Sequence, residues 1–254
     1  MGRFGLDGKQ ALVTGGSRGI GRAIALAMAD AGADVAVTSR KGDDAEPVAS
    51  EIRAKGRRSL ALLLDVRHAV SIRVCFERLD QEWGSPDILV NNAGTNIPQD
   101  LMYVDEESWD AVVDSDLKGL VFVTQAAAER MIGAKRGGRI VNIASIYGVV
   151  GRRERVAYSA AKGGVVNLTR SLAIELAPHS ITVNAIGPSL IETDLTRDRL
   201  QTIPDYRAEE LARTPLGRLG TPEDVASVAV FFASAAAAFV TGQTLLVDGG
   251  TSAH

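Results

Sequence analysis

Cysteine is nearly missing from this chain. Cys75 is the single one in 254 residues, so no internal disulfide can form. That favours a reducing compartment. Histidine is scarce too: His68, His179 and His254 show no metal-binding spacing. No apolar run reaches the ~18 residues of a membrane span. The longest, residues 225–240, is Ala-rich and interrupted by Ser227 and Ser234. The opening MGRFGLDGKQALVTGG lacks a signal peptide's apolar stretch and cleavage site. Leu6 stands where a myristoylated Met1–Gly2 start would need Ser or Thr. A basic excess is absent as well: Lys plus Arg is 28 against 31 for Asp plus Glu, a net charge of −3. General nucleic-acid binding needs the opposite balance. The expectation is a cytoplasmic protein with neither a nucleic-acid nor a membrane partner.

Hydrophobic residues make up 46% of the chain, enough for a large core. Short apolar runs fall at residues 10–14 (QALVT), 34–38 (DVAVT), 59–64 (SLALLL), 87–90 (DILV), 139–143 (RIVNI), 181–186 (ITVNAI) and 244–247 (TLLV). Helical patterns lie between most of them; from Ile20, the positions Ile24, Ala27, Met28 and Ala31 recur at helical spacing. Several strands are continuously apolar, which suits strands covered on both faces of a parallel sheet. No linker, repeat or low-complexity tract divides the chain. One α/β domain over residues 1–254 follows, built on a doubly wound, parallel, seven-stranded sheet. Residues 187–215 carry no strand pattern and include Pro188 and Pro204. They follow the sixth strand, where such sheets bind ligands, so the segment reads as a mobile substrate lid or an ordinary surface excursion.

The first strand runs into Thr14-Gly15-Gly16-Ser17-Arg18-Gly19-Ile20-Gly21. Glycines let a backbone turn tightly and approach a ligand. A helix opening at the end of the run points free N–H groups and its positive dipole end into the loop, which suits pyrophosphate. Gly15, Ser17, Arg18, Gly19, Ile20 and Gly21 are therefore candidate cofactor contacts; a glycine-rich turn without a ligand is the plainer alternative. After the second strand an acid would bind a ribose 2′-hydroxyl, whereas Arg accommodates a 2′-phosphate. Here Ser39 is neutral and Arg40 follows, with Arg18 as a second cation. Guanidinium suits phosphate, so NADP(H) is favoured, although a solvated Arg40 is the rival reading. Asp43 and Asp44 read as the start of the next helix. Asp65-Val66 could meet adenine through the carboxylate, or form a routine turn. Asn91-Asn92-Ala93-Gly94 ends the fourth strand; Asn92, Ala93 and Gly94 could admit a sugar or nicotinamide, or serve structure alone.

Tyr158 and Lys162 are four apart in a helical pattern whose stripe is Ala161, Val165, Leu168, Leu172 and Leu176. Residues i and i+4 share a helix face. An ammonium near a phenol favours phenolate and lowers its pKa below the usual ~10. Such a tyrosine exchanges protons with an alcohol near neutral pH. Ser145 follows the fifth strand at the sheet's ligand edge and could hold a substrate oxygen.

These motifs, in this order, resemble the short-chain dehydrogenase/reductase family. Asn184 through Pro188 and the ending Val247-Asp248-Gly249-Gly250 extend the resemblance along nearly the whole chain. The resemblance implies a single-domain Rossmann fold, usually a homotetramer, that moves a hydride between a nicotinamide and a ketone or secondary alcohol. It implies Tyr158 as acid/base, Ser145 orienting the substrate oxygen and Lys162 binding the nicotinamide ribose. Pro188, Ile191 and Thr193 are implied beside the nicotinamide, with Thr193 at the carboxamide. The apolar stretch from Phe239 to Val247 would help bury a tetramer interface. Within the family the chain looks most like 3-oxoacyl-carrier-protein reductases and gluconate 5-dehydrogenase-type enzymes, the latter through Gly151-Arg152.

Two positions depart from the family's pattern. Asp116 takes the place of an Asn in the fourth helix; it could keep that residue's main-chain carbonyl while adding a negative charge near Lys162, which would raise the Tyr158 pKa. Ser189 takes the place of a Gly after Pro188, a costly change wherever the backbone needs a positive φ. The remaining features read as structural. Cys75 is expected to be a small buried hydrophobe. Arg53, Lys55, Arg57 and Arg58 read as a solvated helix end. The loop Gly151-Arg152-Arg153-Glu154-Arg155 reads as a salt-bridged surface or a substrate-anion grip. A catalytically silent nucleotide-binding protein is the rival function; the complete Ser145-Tyr158-Lys162 set argues against it. A lyase or epimerase would need a larger substrate domain.

Overall fold

Seven parallel strands form one sheet in the order β3-β2-β1-β4-β5-β6-β7. The strands are β1 (Gln10–Val13), β2 (Asp34–Ser39), β3 (Ser59–Leu63), β4 (Ile88–Asn91), β5 (Gly138–Ile143), β6 (Ile181–Pro188) and β7 (Thr244–Val247). The helices are α1 (Gly19–Asp30), α2 (Glu46–Ala54), α3 (Ala69–Glu82), α4 (Glu106–Val113), α5 (Gly119–Ala134), α6 (Val156–Leu176), α7 (Asp194–Thr202), α8 (Tyr206–Ala212) and α9 (Pro222–Ala233). A π-helical turn, Asp114–Lys118, joins α4 to α5. The computed structural model describes residues 2–253 (backbone only at 42, 195, 198 and 199). Met1 and His254, weighed in the sequence, lie outside the described residues.

The continuous apolar strands have a simple cause. Successive strand side chains point to opposite faces, and both faces here are covered. Val13, Val35, Val37, Val90 and Val141 pack with Ile24 and Met28 of α1 and Phe232 of α9. Leu12, Leu89, Ile140 and Val183 pack on the other face with Phe76 and Leu79 of α3 and Val123 and Met131 of α5. The stripe on α6 turns inward as its spacing requires: Ala161, Val165 and Leu176 are buried. Cys75 lies in this second layer, and burial pushes its thiol up to about 12.

The chain leaves β1 towards β2 and β3, then returns to β1's other side with β4. That reversal opens a crevice at the carboxyl ends of β1 and β4, where ligands bind in such sheets. Observed strand bounds differ from the expected ones by a residue or two. Asp87 is outside β4 and caps the neighbouring strand, accepting from the Gln10 N–H at 3.0 Å. The larger difference concerns residues 187–215. β6 continues through Pro188, into the stretch read as having no strand pattern, and two helices, α7 and α8, follow, which the sequence reading had not placed. Among the described residues no helix is long and apolar enough to cross a membrane.

Candidate active site

The glycine turn is locked to β4 by Thr14 and Asn92. Thr14 Oγ1 donates to the Val90 carbonyl at 3.3 Å and accepts from the N–H groups of Asn92 (2.9 Å) and Ala93 (3.0 Å). The Asn92 amide donates to the carbonyls of Thr14 and Gly15, both at 2.9 Å. The Asn92 side chain is thus committed to the turn itself, and Asn91 to Thr124 and Asn142 in the core. Gly15 and Gly19 adopt positive φ of 61° and 54°, which side-chain-bearing residues avoid. A Cβ on Gly21 would fall 2.3 Å from the Gly15 carbonyl oxygen, so only glycine lets α1 pack this close.

The N-terminus of α1 is left open. Arg18 at the N-cap makes no side-chain capping bond, and no acid occupies the first turn. The bond from the Arg22 N–H to the Arg18 carbonyl, 3.2 Å, leaves the N–H groups of Gly19, Ile20 and Gly21 before it without a helical partner. Arg18 and Arg40 are exposed, and among the described residues neither finds a carboxylate. Their neighbours do: Arg22 meets Glu51 at 2.6 Å, and Arg57 and Arg58 both pair with Asp34. Lys55 reaches Asp30 and Arg53 reaches Glu46, so the basic cluster is salt-bridged where a merely solvated helix end was expected. Ser39 is buried and donates to the Lys41 carbonyl. An open helix end, a glycine cradle and two free cations after β1 and β2 fit a phosphorylated dinucleotide.

Asp65 and Val66 are less open. The Asp65 carboxylate takes two bonds from the Arg67 guanidinium, at 2.9 and 2.6 Å, and one from its N–H at 3.1 Å. Those bonds hold its carboxyl below the usual range. Val66 is buried, its carbonyl close against Gly119. Beyond β6, Pro188 and Ile191 are buried, and Thr193 packs 3.5 Å from where a Cβ on Gly19 would sit. The segment after β6 therefore folds back over the glycine turn. Ser189 is not among the positive-φ residues, so the cost foreseen for a side chain there does not arise.

The second cluster lies at the end of β5. Ser145 is buried and caps a short 3-10 turn by accepting from the Tyr147 N–H at 3.2 Å. Tyr158 and Lys162 sit one turn apart on α6, with the ammonium 5.6 Å from the phenol ring centre. Lys162 is buried and donates to the Ile143 carbonyl at 2.9 Å. Asp116, on the π turn, lies 3.0 Å from the Lys162 ammonium; both side chains are nearly sealed from solvent, at 1% and 5% exposure. Beyond this ion pair, Asp116 Oδ2 has no hydrogen-bond partner among the described residues. Oδ1 accepts from the Thr95 N–H at 2.7 Å and the Ser115 hydroxyl at 2.6 Å. π turns of this kind often mark functional sites.

These contacts set the proton affinities. Burial pushes the Tyr158 phenol up; Lys162 pulls it down, Asp116 pushes it up again, and the Ser145 hydroxyl lowers it by hydrogen bonding. The lysine acts in the direction foreseen, yet the net shift is upward, because desolvation outweighs one ammonium that is itself offset by a carboxylate. Lys162 is pulled down by burial but raised more by Asp116 and Tyr158, so it stays charged.

Helix α8 meets the loop between Ser145 and Tyr158. Arg152 pairs with Glu210 of α8 at 2.5 Å, and Glu210 is buried. The guanidinium offered as an anion grip thus already has a carboxylate. A cavity of about 370 Å³ opens beside α7, lined by Glu192, Thr193, Arg197, Leu200, Gln201 and Arg207. It touches the expected cofactor residues only at Thr193. Thr95, Ser115, Arg67 and Glu210 escaped the sequence reading. Arg67 had a local signal, being two residues from Asp65; Glu210 had none, since its partner is 58 residues away.

A family model described as Enoyl-(Acyl carrier protein) reductase matches residues 15–252. The 3-oxoacyl-[acyl-carrier-protein] reductase of Staphylococcus aureus is 42% identical over 243 residues, 95% of this chain and 97% of that one. The structure of a gluconate 5-dehydrogenase from Burkholderia cenocepacia, in complex with NADP and tartrate, superposes with a TM-score of 0.95 at 36% identity, covering 99% of this chain and 98% of the other. A short-chain type dehydrogenase/reductase from Mycobacterium marinum gives 0.94 at 37% identity, again covering 99% and 98%.

Proposed function

The chain belongs to the short-chain dehydrogenase/reductase family, and from that premise we propose that it moves a hydride between NADP(H) and a ketone or secondary alcohol of the 3-oxoacyl-thioester or sugar-acid type. The observation that carries the reading is the convergence of Ser145, Tyr158 and Lys162 at the end of β5, on the same carboxyl edge of the parallel sheet from which α1 opens after β1. NADP(H), when bound, supplies or accepts the hydride. Gly15, Ser17, Gly19, Ile20 and Gly21 would hold its pyrophosphate, and Arg18 and Arg40 the 2′-phosphate. Asp65 and Val66 would border the adenine, while Ala93, Gly94, Pro188, Ile191 and Thr193 border the nicotinamide side, with Asn92 holding the turn.

Tyr158 passes the proton to or from the substrate oxygen, which Ser145 orients. Lys162 keeps its positive charge beside the phenol and would hold the nicotinamide ribose when the cofactor is bound. The intact trio speaks against a silent nucleotide-binding protein. A screen of 3-oxoacyl thioesters, sugar acids and simple ketones, followed by NADPH absorbance, tests the assignment. NADPH-dependent turnover in one class is expected; none in any class overturns it.

We assign residues 187–215 as a substrate cover whose helix α8 is tied down by the Arg152–Glu210 pair. A hydrogen bond is worth about 0.5–1.5 kcal/mol net. Glu210→Gln is expected to raise the substrate KM roughly two- to tenfold with little change in kcat; an unchanged KM removes the cover from the account. A homotetramer is supported by the fully exposed Phe239 and the half-exposed Leu245 on the edge strand β7. A monomer by light scattering at micromolar concentration overturns it. A cytoplasmic setting suits the lone, buried Cys75.

A further inference from the structure

The Asp116–Lys162 pair is a charge arrangement that the proposed reaction does not itself require. An ammonium beside a phenol is sufficient to favour phenolate. Here a buried carboxylate stands 3.0 Å from that ammonium, and its other oxygen is fixed by the Thr95 N–H and the Ser115 hydroxyl. A Cβ on Gly94 would fall 2.7 Å from Asp116 Oδ2, so the glycine after β4 makes room for the carboxylate. The charge is therefore held in place from three sides: the loop after β4, the π turn and α6.

We propose that Asp116 is a positioning residue that balances Lys162 and keeps Tyr158 in its protonated form, fitting the site to reduce a ketone at neutral pH and to oxidise the alcohol only at higher pH. This rests on the reading of Tyr158 as the acid/base. In reduction the carbonyl carbon receives the hydride and its oxygen receives the Tyr158 proton; oxidation returns both, so it needs phenolate at the start. The charged and titratable groups acting on Tyr158 are Lys162 and Arg155, which favour phenolate, and Asp116, which opposes it; the neutral Ser145 hydroxyl also favours phenolate by hydrogen bonding. Among these groups, removing the carboxylate leaves the two cations. Lys162 keeps its bond to the Ile143 carbonyl.

Asp116→Asn retains the acceptor for Thr95 and Ser115 and deletes the charge. A like charge in a buried site shifts a neighbour by about 1 unit or more. The rising limb of the oxidative kcat/KM profile should move to lower pH by about 1 unit, which is roughly a tenfold gain in oxidation at neutral pH. The fall of the reductive profile at high pH should move down equally. Tyrosine labelled in its ring carbon gives a second readout in the cofactor-free protein: the Tyr158 signal, assigned by its loss in Tyr158→Phe, should titrate at lower pH in Asp116→Asn. Asp116→Ser serves the same purpose should Asn impair folding, as judged by circular dichroism. Profiles that stay put, or that move to higher pH because Lys162 has lost its charge, overturn the proposal. Full activity in Tyr158→Phe would instead overturn the acid/base assignment beneath it.

Discussion

Helices α1 and α9 lie side by side against one face of the sheet, yet their N-termini are built in opposite ways. At α9, Thr221 and Asp224 form a reciprocal capping box, and Arg218 clasps Asp224 at 2.7 and 2.9 Å. Those bonds hold the Asp224 carboxyl far below its usual range. Thr221, Asp224 and Arg218 thus satisfy one another within the chain. At α1 the cap is an arginine, the first turn has no acid, and the turn before it is glycine-rich. A helix end without internal partners is satisfied by solvent or by an anion. The closed end stabilises the fold; the open one leaves its N–H groups available to an anion, the role proposed for it above.

Tyr158→Phe sharpens that division most. General acid–base help is worth about 10²–10⁴-fold. The variant should lose that much of kcat while NADPH, held at the other cluster, binds as before; stopped-flow turnover and NADPH fluorescence titration check the two separately. Arg40→Ala acts on the open end instead. A charge-assisted contact is worth about 1.5–3 kcal/mol, so kcat/KM with NADPH should fall roughly ten- to a hundredfold and with NADH hardly at all. Equal efficiency of the two cofactors in the wild type would remove the basis for this contrast. Thr221→Ala breaks the closed end. Losing such a cap costs about 1 kcal/mol, which for a chain of this size is roughly 2–4 °C in Tm. Cofactor kinetics should not change. The smallest effect concerns Cys75, whose buried thiol, pushed up to about 12, should resist alkylation at neutral pH in the folded protein; fast labelling without denaturant would contradict its burial.

The sheet was legible because both its faces are covered, so strand centres such as 11–13 (ALV) and 88–90 (ILV) are apolar at every position. The glycine turn and the Tyr158–Lys162 spacing were legible for a related reason, since each needs particular residue types at fixed separations. What stayed hidden depends on partners far along the chain. Helix α7 is mostly polar in sequence, and in α8 the buried residue is Glu210, so neither shows an apolar stripe. The Arg152–Glu210 pair joins residues that only the fold brings together. Asn92 and Asp65 look free in sequence, yet one clamps the turn and the other is bound by Arg67. The net direction of the Tyr158 shift was not readable either, because it depends on how deeply the phenol is desolvated.

Arg18→Asp tests the open-end account most directly, because it gives α1 a side-chain cap, as α9 already has in Thr221. An Asp at the N-cap should accept from the free first-turn N–H groups and stabilise the cofactor-free protein by about 1 kcal/mol. The same change removes a cation and places a negative charge where pyrophosphate would bind. Thermal unfolding and NADPH titration of this one variant therefore form a single paired measurement. The account predicts a higher Tm without cofactor and an NADPH affinity reduced by about a hundredfold or more. A variant that is stabilised and still binds NADPH as tightly as the wild type would contradict it.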